Sequence, residues 1–361
     1  MLSRTILDRG QMRYIGNKTK LLPFLESSFE KYYSDTSELV LCDLFAGTCS
    51  VSSHFKNKFK HVISNDLEDY SFALARNYVC NDGPPEGYQR LIDHMNSLSP
   101  VTGRFSESFS PEGSKRMFFT ENNARKIQAI REEIAKLSNF REIHDFLLCS
   151  LLESADTFSN TTGVYGAYLK KFNSRSSQDL ILKPYVSSRG SGQALQGDAV
   201  EVVKGLSGDI LYLDPPYNTR KYSANYHVLN CIVNHNTFEI KQVERTVERL
   251  DENGESVGKE RVKVESTSGL TTDLNNSDFS SKQRVRSALE KLIENSSGFD
   301  TVFMSYNDEG ILGIEEVEKI FKQHGDYELL EQQHKRYKSN TKSNEKQNKH
   351  VRELLHVLKR K

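Results

Sequence analysis

The stretch "GDILYLDPPYNTRKYSANYH", residues 208–227, carries an apolar run into an acid, two prolines and a tyrosine. One chemistry that calls for this arrangement is methylation of a planar amine. The exocyclic amine of adenine is a poor nucleophile because its lone pair is delocalised into the ring. A carboxylate and a carbonyl that accept both N–H groups draw the nitrogen toward tetrahedral geometry and aim its lone pair at a methyl on a sulfonium. Asp214 supplies the carboxylate, Pro215 a carbonyl without an N–H of its own, and Pro215–Pro216 a rigid turn. Tyr217 presents a flat face for an extruded base, at about 1–3 kcal/mol per stacked base. The base must leave the duplex for its amine to be reached. Such a clamp needs no metal and no covalent intermediate. It does need Asp214 to be available, so an internal ion pair locking that acid would remove the acceptor. The structural alternative is a Pro-Pro turn capped by an acid.

Three further acids fall where apolar runs end: Asp43 in "DLFAGT", Asp66 in "SND" and Asp198 in "GDA". In an open parallel sheet, ligands bind beyond the carboxyl ends of the strands. Gly47 permits a tight turn and close backbone approach. Asp66, about 20 residues past that turn, stands where a carboxylate can bind ribose hydroxyls. A G-x-G-x-x-G cradle for pyrophosphate is missing, so a nucleoside without phosphates suits the site, and S-adenosylmethionine is one. Taken singly, each acid reads equally well as a helix cap.

The elements that hold these residues follow from periodicity. In "KTKLLPFLESSFEKYY" the residues Leu21, Leu22, Leu25, Phe29 and Tyr32 recur at helical spacing, with Pro23 fitting only a first turn. Nearly continuous apolar strands alternating with helices predict a parallel sheet covered on both faces. From about Asn81 to Lys183 the pattern turns helical, in "NARKIQAIREEIAKL" and "REIHDFLLCSLLESADTF". Then "SNTTGVYGAYLKKFNSRSSQDLILKPY" reads as turns and short strands. The α/β pattern resumes at "QGDAVEVV" and "GDILYLDPPY" and returns at "FDTVFMSYND". Residues 241–265 read as a charged hairpin turning at Glu252–Gly254. "YELLEQQHKRY" and "VRELLHVLKR" read as an antiparallel hairpin closing one edge of the sheet.

With 49 basic and 49 acidic residues the net charge is zero, so polyanion binding rests on local patches. One candidate is 335–361, with ten Lys or Arg against Glu345 and Glu353; it reads equally as a solvated end. Five cysteines without C-x-x-C spacing predict a reduced, cytoplasmic protein without a zinc site. No apolar window long enough for a membrane span occurs, and no signal peptide is expected.

In the order "RYIGNKTKLL", "DLFAGTCS", "SND", a helical insertion, "GDA" and "DPPYNTRKYSANYH", the chain resembles the alpha group of adenine-specific DNA methyltransferases, which includes the bacterial DNA adenine methylase and many restriction-associated enzymes. "SNTTGVYGAYLKKF" and "SYNDEGIL" resemble a restriction-modification subset. The resemblance implies a Rossmann-like S-adenosylmethionine-dependent methyltransferase sheet, an antiparallel edge hairpin and an inserted, mostly helical target recognition domain. The domains would be 1–82 (first part of the catalytic core), 83–183 (target recognition) and 184–361 (the rest of the core, with a charged hairpin insertion at about 238–268). Tyr14 and Lys18 would contact the cofactor. Asp43, Phe45 and Gly47 would line its methionine part, Asp66 would hold the ribose, and Asp198 would accept from its adenine amine. Asp214, Pro215, Pro216 and Tyr217 would form the target site. Cys49 stands where the family usually has a second glycine, and cysteine does not adopt left-handed angles cheaply.

With this order in view, Asn160, Thr161, Tyr165, Tyr168, Lys170, Lys171 and Arg175 become candidate DNA contacts on an expected hairpin. Asn and Arg suit base edges, and Lys suits phosphates. Arg220 and Tyr222 would belong to a basic-aromatic loop after the clamp, while His227 reads as a structural histidine. Double-stranded DNA is the implied substrate, with a cognate restriction endonuclease as a possible partner in a bacterial cytoplasm. Two rivals stand: another amino-group methyltransferase (N4-cytosine in DNA, RNA adenine or protein glutamine), and a DNA-binding relative without catalysis.

Overall fold

The structure, a computed structural model, describes residues 12–250, 256–308, 310–335 and 350–360. The chain divides into two compact units. One contains residues 16–86, 186–221 and 276–361, the other residues 1–15, 87–185 and 222–275.

Nine strands occur among the described residues: β1 (Val40–Asp43), β2 (His61–Asp66), β3 (Gly192–Gln196), β4 (Gly208–Leu213), β5 (Gln242–Leu250), β6 (Ser256–Glu265), β7 (Phe299–Asn307), β8 (Asp326–Lys335) and β9 (His350–Lys359). Seven of them form the sheet of the first unit, in the order β3-β2-β1-β4-β7-β9-β8. The first five in that order pair in parallel. β9 runs antiparallel between β7 and β8. This is the α/β sheet with an antiparallel hairpin at one edge that the sequence predicts. The central strands are buried on both faces, which is why they read as unbroken apolar runs.

The Leu22–Tyr32 helix starts where expected, with proline in its first turn, where a missing N–H costs nothing. Its Phe29 ring meets Phe303 of β7 edge-on at 4.8 Å. On the other face of the sheet, Leu44, Leu211, Leu213, Met304 and Tyr306 form a core with Leu289, Leu292 and Ile293 of the Val285–Asn295 helix.

The second unit is mostly helical. The Glu121–Ala135 and Arg141–Phe158 helices lie where the apolar spacing places them. Residues 159–191 contain neither helix nor strand, so the hairpin expected over 160–175 does not form. Asn160 explains why. Its side-chain amide donates to the carbonyls of Met117 and Leu169, both at 2.9 Å, and its oxygen accepts from Asn173 N and Ser176 Oγ at 3.2 Å. These bonds replace a strand ladder.

The charged hairpin β5–β6 groups with this helical unit rather than with the sheet, as does the Tyr222–Asn234 helix. Buried Arg116 anchors the hairpin's base, donating to the Glu265 carboxylate and the Ser266 carbonyl, each at 2.8 Å. The expected turn at 252–254 and most of the basic segment 335–361 lie outside the described residues. Among the described residues, no helix is long and apolar enough to cross a membrane.

Candidate active site

The four acids singled out in the sequence belong to four neighbouring strands. Asp43 ends β1, Asp66 ends β2, Asp198 follows β3 and Asp214 follows β4. Chain order reverses between β1 and β4, so Asp43 and Asp214 flank the switch point, where an open α/β sheet offers its ligand crevice.

Asp214 is not free. The Lys18 ammonium lies 2.9 Å from its Oδ1 and 6.0 Å from the centre of the Tyr217 ring. The side chains are 8% and 18% exposed, respectively. The ion pair that would disable the clamp if permanent is therefore present. It engages one oxygen; Oδ2 takes no hydrogen bond among the described residues. The ammonium is a donor against Asp214 beside Tyr217, the kind of partner that the clamp reading gives this acid. Tyr217 is half-buried, its ring edge-on to Tyr306 at 6.5 Å, and its carbonyl accepts from Ile311 N at 2.9 Å. Pro215 is buried and Pro216 partly so, which gives the turn little room to move. An open cavity of about 410 Å³ borders Tyr217, Asn218, Thr219, Lys282, Gly310 and Ile311.

The turn after β1 is held by the acids themselves. Asp66 accepts from Gly47 N at 2.8 Å and from Glu68 N at 3.0 Å. Asp43 accepts from the Ser52 N–H at 3.1 Å and its hydroxyl at 2.5 Å, leaving Oδ1 without a hydrogen bond among the described residues. Phe45 meets Phe279 edge-on at 5.0 Å. Gly47 has φ 53°, and Cys49 adopts the left-handed conformation too, with φ 58°. The departure from glycine thus leaves the backbone in the glycine-like shape at a cost of about 1–2 kcal/mol, with the thiol fully buried. Asp198 is exposed and caps the following helix through Val200 N at 2.9 Å. The buried Asn65 Oδ1 has no hydrogen-bond partner among the described residues, one strand from Asp43. Carboxylates, an orphaned amide oxygen and an aromatic edge fit a cationic nucleoside without phosphates.

Burial pushes the Asp214 carboxyl up to about 6; Lys18 pulls it down and Glu353 pushes it up. Burial likewise lifts Asp43 to about 7, with Ser52 opposing and Asp214 adding to the rise. Burial lowers Lys18, but Asp214 and Glu353 more than offset it and hold the ammonium above its ordinary value. Asp214 must be ionised to accept an amine, so kcat/KM should fall about tenfold per pH unit below about 6. The signs separate this from unfolding. Both carboxyls are raised, so their ionisation costs stability as pH rises above 3.8, and acid relieves it. A kcat/KM profile with its acid limb near 4 would refute the assignment.

A family model described as "D12 class N6 adenine-specific DNA methyltransferase" matches residues 14–283, well over half of the chain. The chain belongs to this family. It is similar to the type II methyltransferase M.NlaIII of Neisseria lactamica, at 37% identity over 97% of this chain and 99% of that protein. It is also similar to the type II methyltransferase M.CviAII of Paramecium bursaria Chlorella virus 1, at 33% identity over 91% and 94% of the two chains. The modification methylase StsI of Streptococcus sanguinis is 33% identical over 97% of this chain, but the match spans only 52% of that longer protein.

In this D12-class methyltransferase the other candidate residues divide by burial. Asn160, Thr161 and Tyr165 are buried, a correction to their reading as DNA contacts. Arg13 of "RYIGNK" donates to the Asp156 carbonyl and Ser159 Oγ at 2.7 Å and to the Thr161 carbonyl at 2.8 Å. The Tyr165 hydroxyl donates to Asp156 Oδ1 at 3.1 Å. These residues build the segment. Lys170, Lys171 and Arg175 are exposed and Tyr168 partly so. Tyr222 opens a helix instead of lying in a loop, and Tyr14 stacks on Tyr226 of that helix at 4.7 Å. Arg220 is exposed, with its N–H on Asn218 Oδ1. His227 is structural, its ring nitrogens facing the carbonyls of Ala224 and Ser268 at 2.9 and 2.8 Å. Sequence reasoning missed Glu353, whose charge acts on both members of the Lys18–Asp214 pair.

Proposed function

We propose that this chain methylates the N6 amine of a specific, flipped-out adenine in double-stranded DNA, using S-adenosylmethionine, as the modification arm of a restriction-modification system. The observation that carries the site assignment is the set of acids on four adjacent strands, ending in Asp214–Pro215–Pro216–Tyr217 beside the switch point. Bound S-adenosylmethionine would supply an activated methyl. Asp43, Phe45, Gly47, Asp66 and Asp198 would hold it. Asp214 and the Pro215 carbonyl would take the two N–H groups of the target, with Tyr217 stacked on the base. Lys18 must first yield Oδ1. The modification role rests on the relatives' names, and a partner nuclease and a cytoplasmic location go with it.

Exposed Lys170, Lys171 and Arg175 are assigned to the DNA backbone or base edges. Replacing all three by alanine should reduce the salt slope of DNA binding by roughly one for each phosphate no longer neutralised. Fluorescence anisotropy across a salt series reads this, and an unchanged slope would withdraw the assignment. The function itself is tested by incubating mixed-sequence DNA with the protein and S-adenosylmethionine, then digesting to nucleosides. N6-methyladenine is expected. N4-methylcytosine alone would transfer the reading to the amino-group rival, and cofactor binding without any transfer to the non-catalytic one.

A further inference from the structure

The Lys18–Asp214 pair raises a question that the amine-clamp reading leaves open: where does a buried ammonium go when the target amine takes its carboxylate? An unpaired cation at that depth is costly. β9 runs antiparallel to β7 with Asn307 opposite Glu353, Ser305 opposite Leu355 and Phe303 opposite Val357. Alternation therefore puts Glu353 on the sheet face that carries Phe303 and Ser305. The Tyr212 hydroxyl reaches Ser305 Oγ at 2.8 Å on this face, and the Leu22–Tyr32 helix, which follows Lys18, covers it through Phe29.

Glu353 is only partly exposed, and among the described residues its carboxylate accepts no hydrogen bond and forms no ion pair. Its neighbour Arg352, by contrast, pairs with Asp308 at 3.4 Å and Glu331 at 3.6 Å. A half-buried carboxylate without a partner among the described residues, on the face of an already paired lysine, is a second seat for that lysine. Its charge reaches Lys18, Asp214, Tyr217 and Tyr212, the groups around the clamp.

We propose that Glu353 receives the Lys18 ammonium when a target amine occupies Asp214, so that the lysine stays paired while the clamp opens. This rests on the amine-clamp reading of Asp214. Glu353 is a positioning residue: it acts through Lys18 and does not touch the substrate, and the handover moves no proton and breaks no bond. Unproductive closure and productive opening become two pairings of one cation.

The test is Glu353→Gln in the full chain, assayed for turnover, S-adenosylhomocysteine binding, thermal stability and pH profile. Turnover should fall by about tenfold or more, because Lys18 then has only Asp214. Cofactor-product affinity should be unchanged. The groups facing Asp214 are Lys18 before the first helix, Glu353 on β9, Asp43 on β1, and Tyr212 and Tyr217 around the clamp itself. Removing the Glu353 charge should move the acid limb of kcat/KM to lower pH, which a merely structural loss would not do. In a Lys18→Met background the same change should add little, since there is no cation to receive. Glu353→Asp should recover part of the turnover, and it stands in if Glu353→Gln fails to fold. Wild-type turnover with an unmoved acid limb, or an equal loss in the Lys18→Met background, would overturn the handover. Retained turnover in Asp214→Ala would instead sink the clamp reading beneath it.

Discussion

Replacing Asp214 by alanine should lower turnover by about 10²–10³-fold while S-adenosylhomocysteine binds as before. The carboxylate lies at the end of β4, one residue beyond the apolar Leu213, and burial already holds it up at about 6. Its contribution is to the amine as charge develops there, so its loss should appear in kcat. Lys18 would lose its partner at 2.9 Å and keep Glu353 as its remaining seat, so the variant should melt only slightly earlier than wild type. Adding Glu353→Gln strands the charge and should lower melting further, and Lys18→Met should then restore melting without restoring turnover. Asp214→Asn should fall between wild type and Asp214→Ala, because its amide oxygen still accepts one N–H and no longer attracts the ammonium. Calorimetry and single-turnover methylation measure the two effects separately. Joint loss of cofactor binding and activity in Asp214→Ala would mean that the acid holds the cofactor and not the target.

Asn160→Ala should cost about 2–4 kcal/mol of stability, a result opposite in kind to the removal of a base contact. The side chain is fully buried, and its removal leaves the Met117 and Leu169 carbonyls and the Asn173 amide to find other partners in a water-poor interior. Thermal unfolding should shift by roughly 2–4 °C per kcal/mol in a unit of this size. Lys170→Ala, at an exposed position of the same segment, should leave melting nearly unchanged and weaken DNA binding. An Asn160→Ala variant as stable as wild type, with relaxed sequence preference, would return this residue to the recognition surface.

These two residues also mark what the sequence can reveal. Asp214 is legible because a strand signal is local, and an acid with two prolines at its end has few structural uses. The same holds for Asp43, Asp66 and Asp198, whose common edge follows from parallel alternation with helices. Asn160, Thr161 and Tyr165 mislead because small polar residues look alike in a surface loop and in a buried hydrogen-bond network. Only the carbonyls of Met117 and Leu169, supplied from elsewhere, distinguish the two. Lys18 and Asp214 are far apart in sequence, and nothing local to "GNK" tells an ion pair from a cofactor contact. Alternation in "VRELLHVLKR" puts Glu353 on one face with Leu355 and Val357, but the register against β7 decides what that face meets.

The position of β9 bears on how the molecule is made. It follows β8 in the sequence, yet it lies between β7 and β8 in the sheet, with Leu354, Leu355, Val357 and Leu358 buried. A ribosome therefore delivers every strand-tip acid before the strand that joins β7 to β8. A chain interrupted before residue 350 would leave β7, a strand built to be buried, as an unpaired and adhesive edge. Premature termination would then yield insoluble polypeptide in place of a weakened modifier.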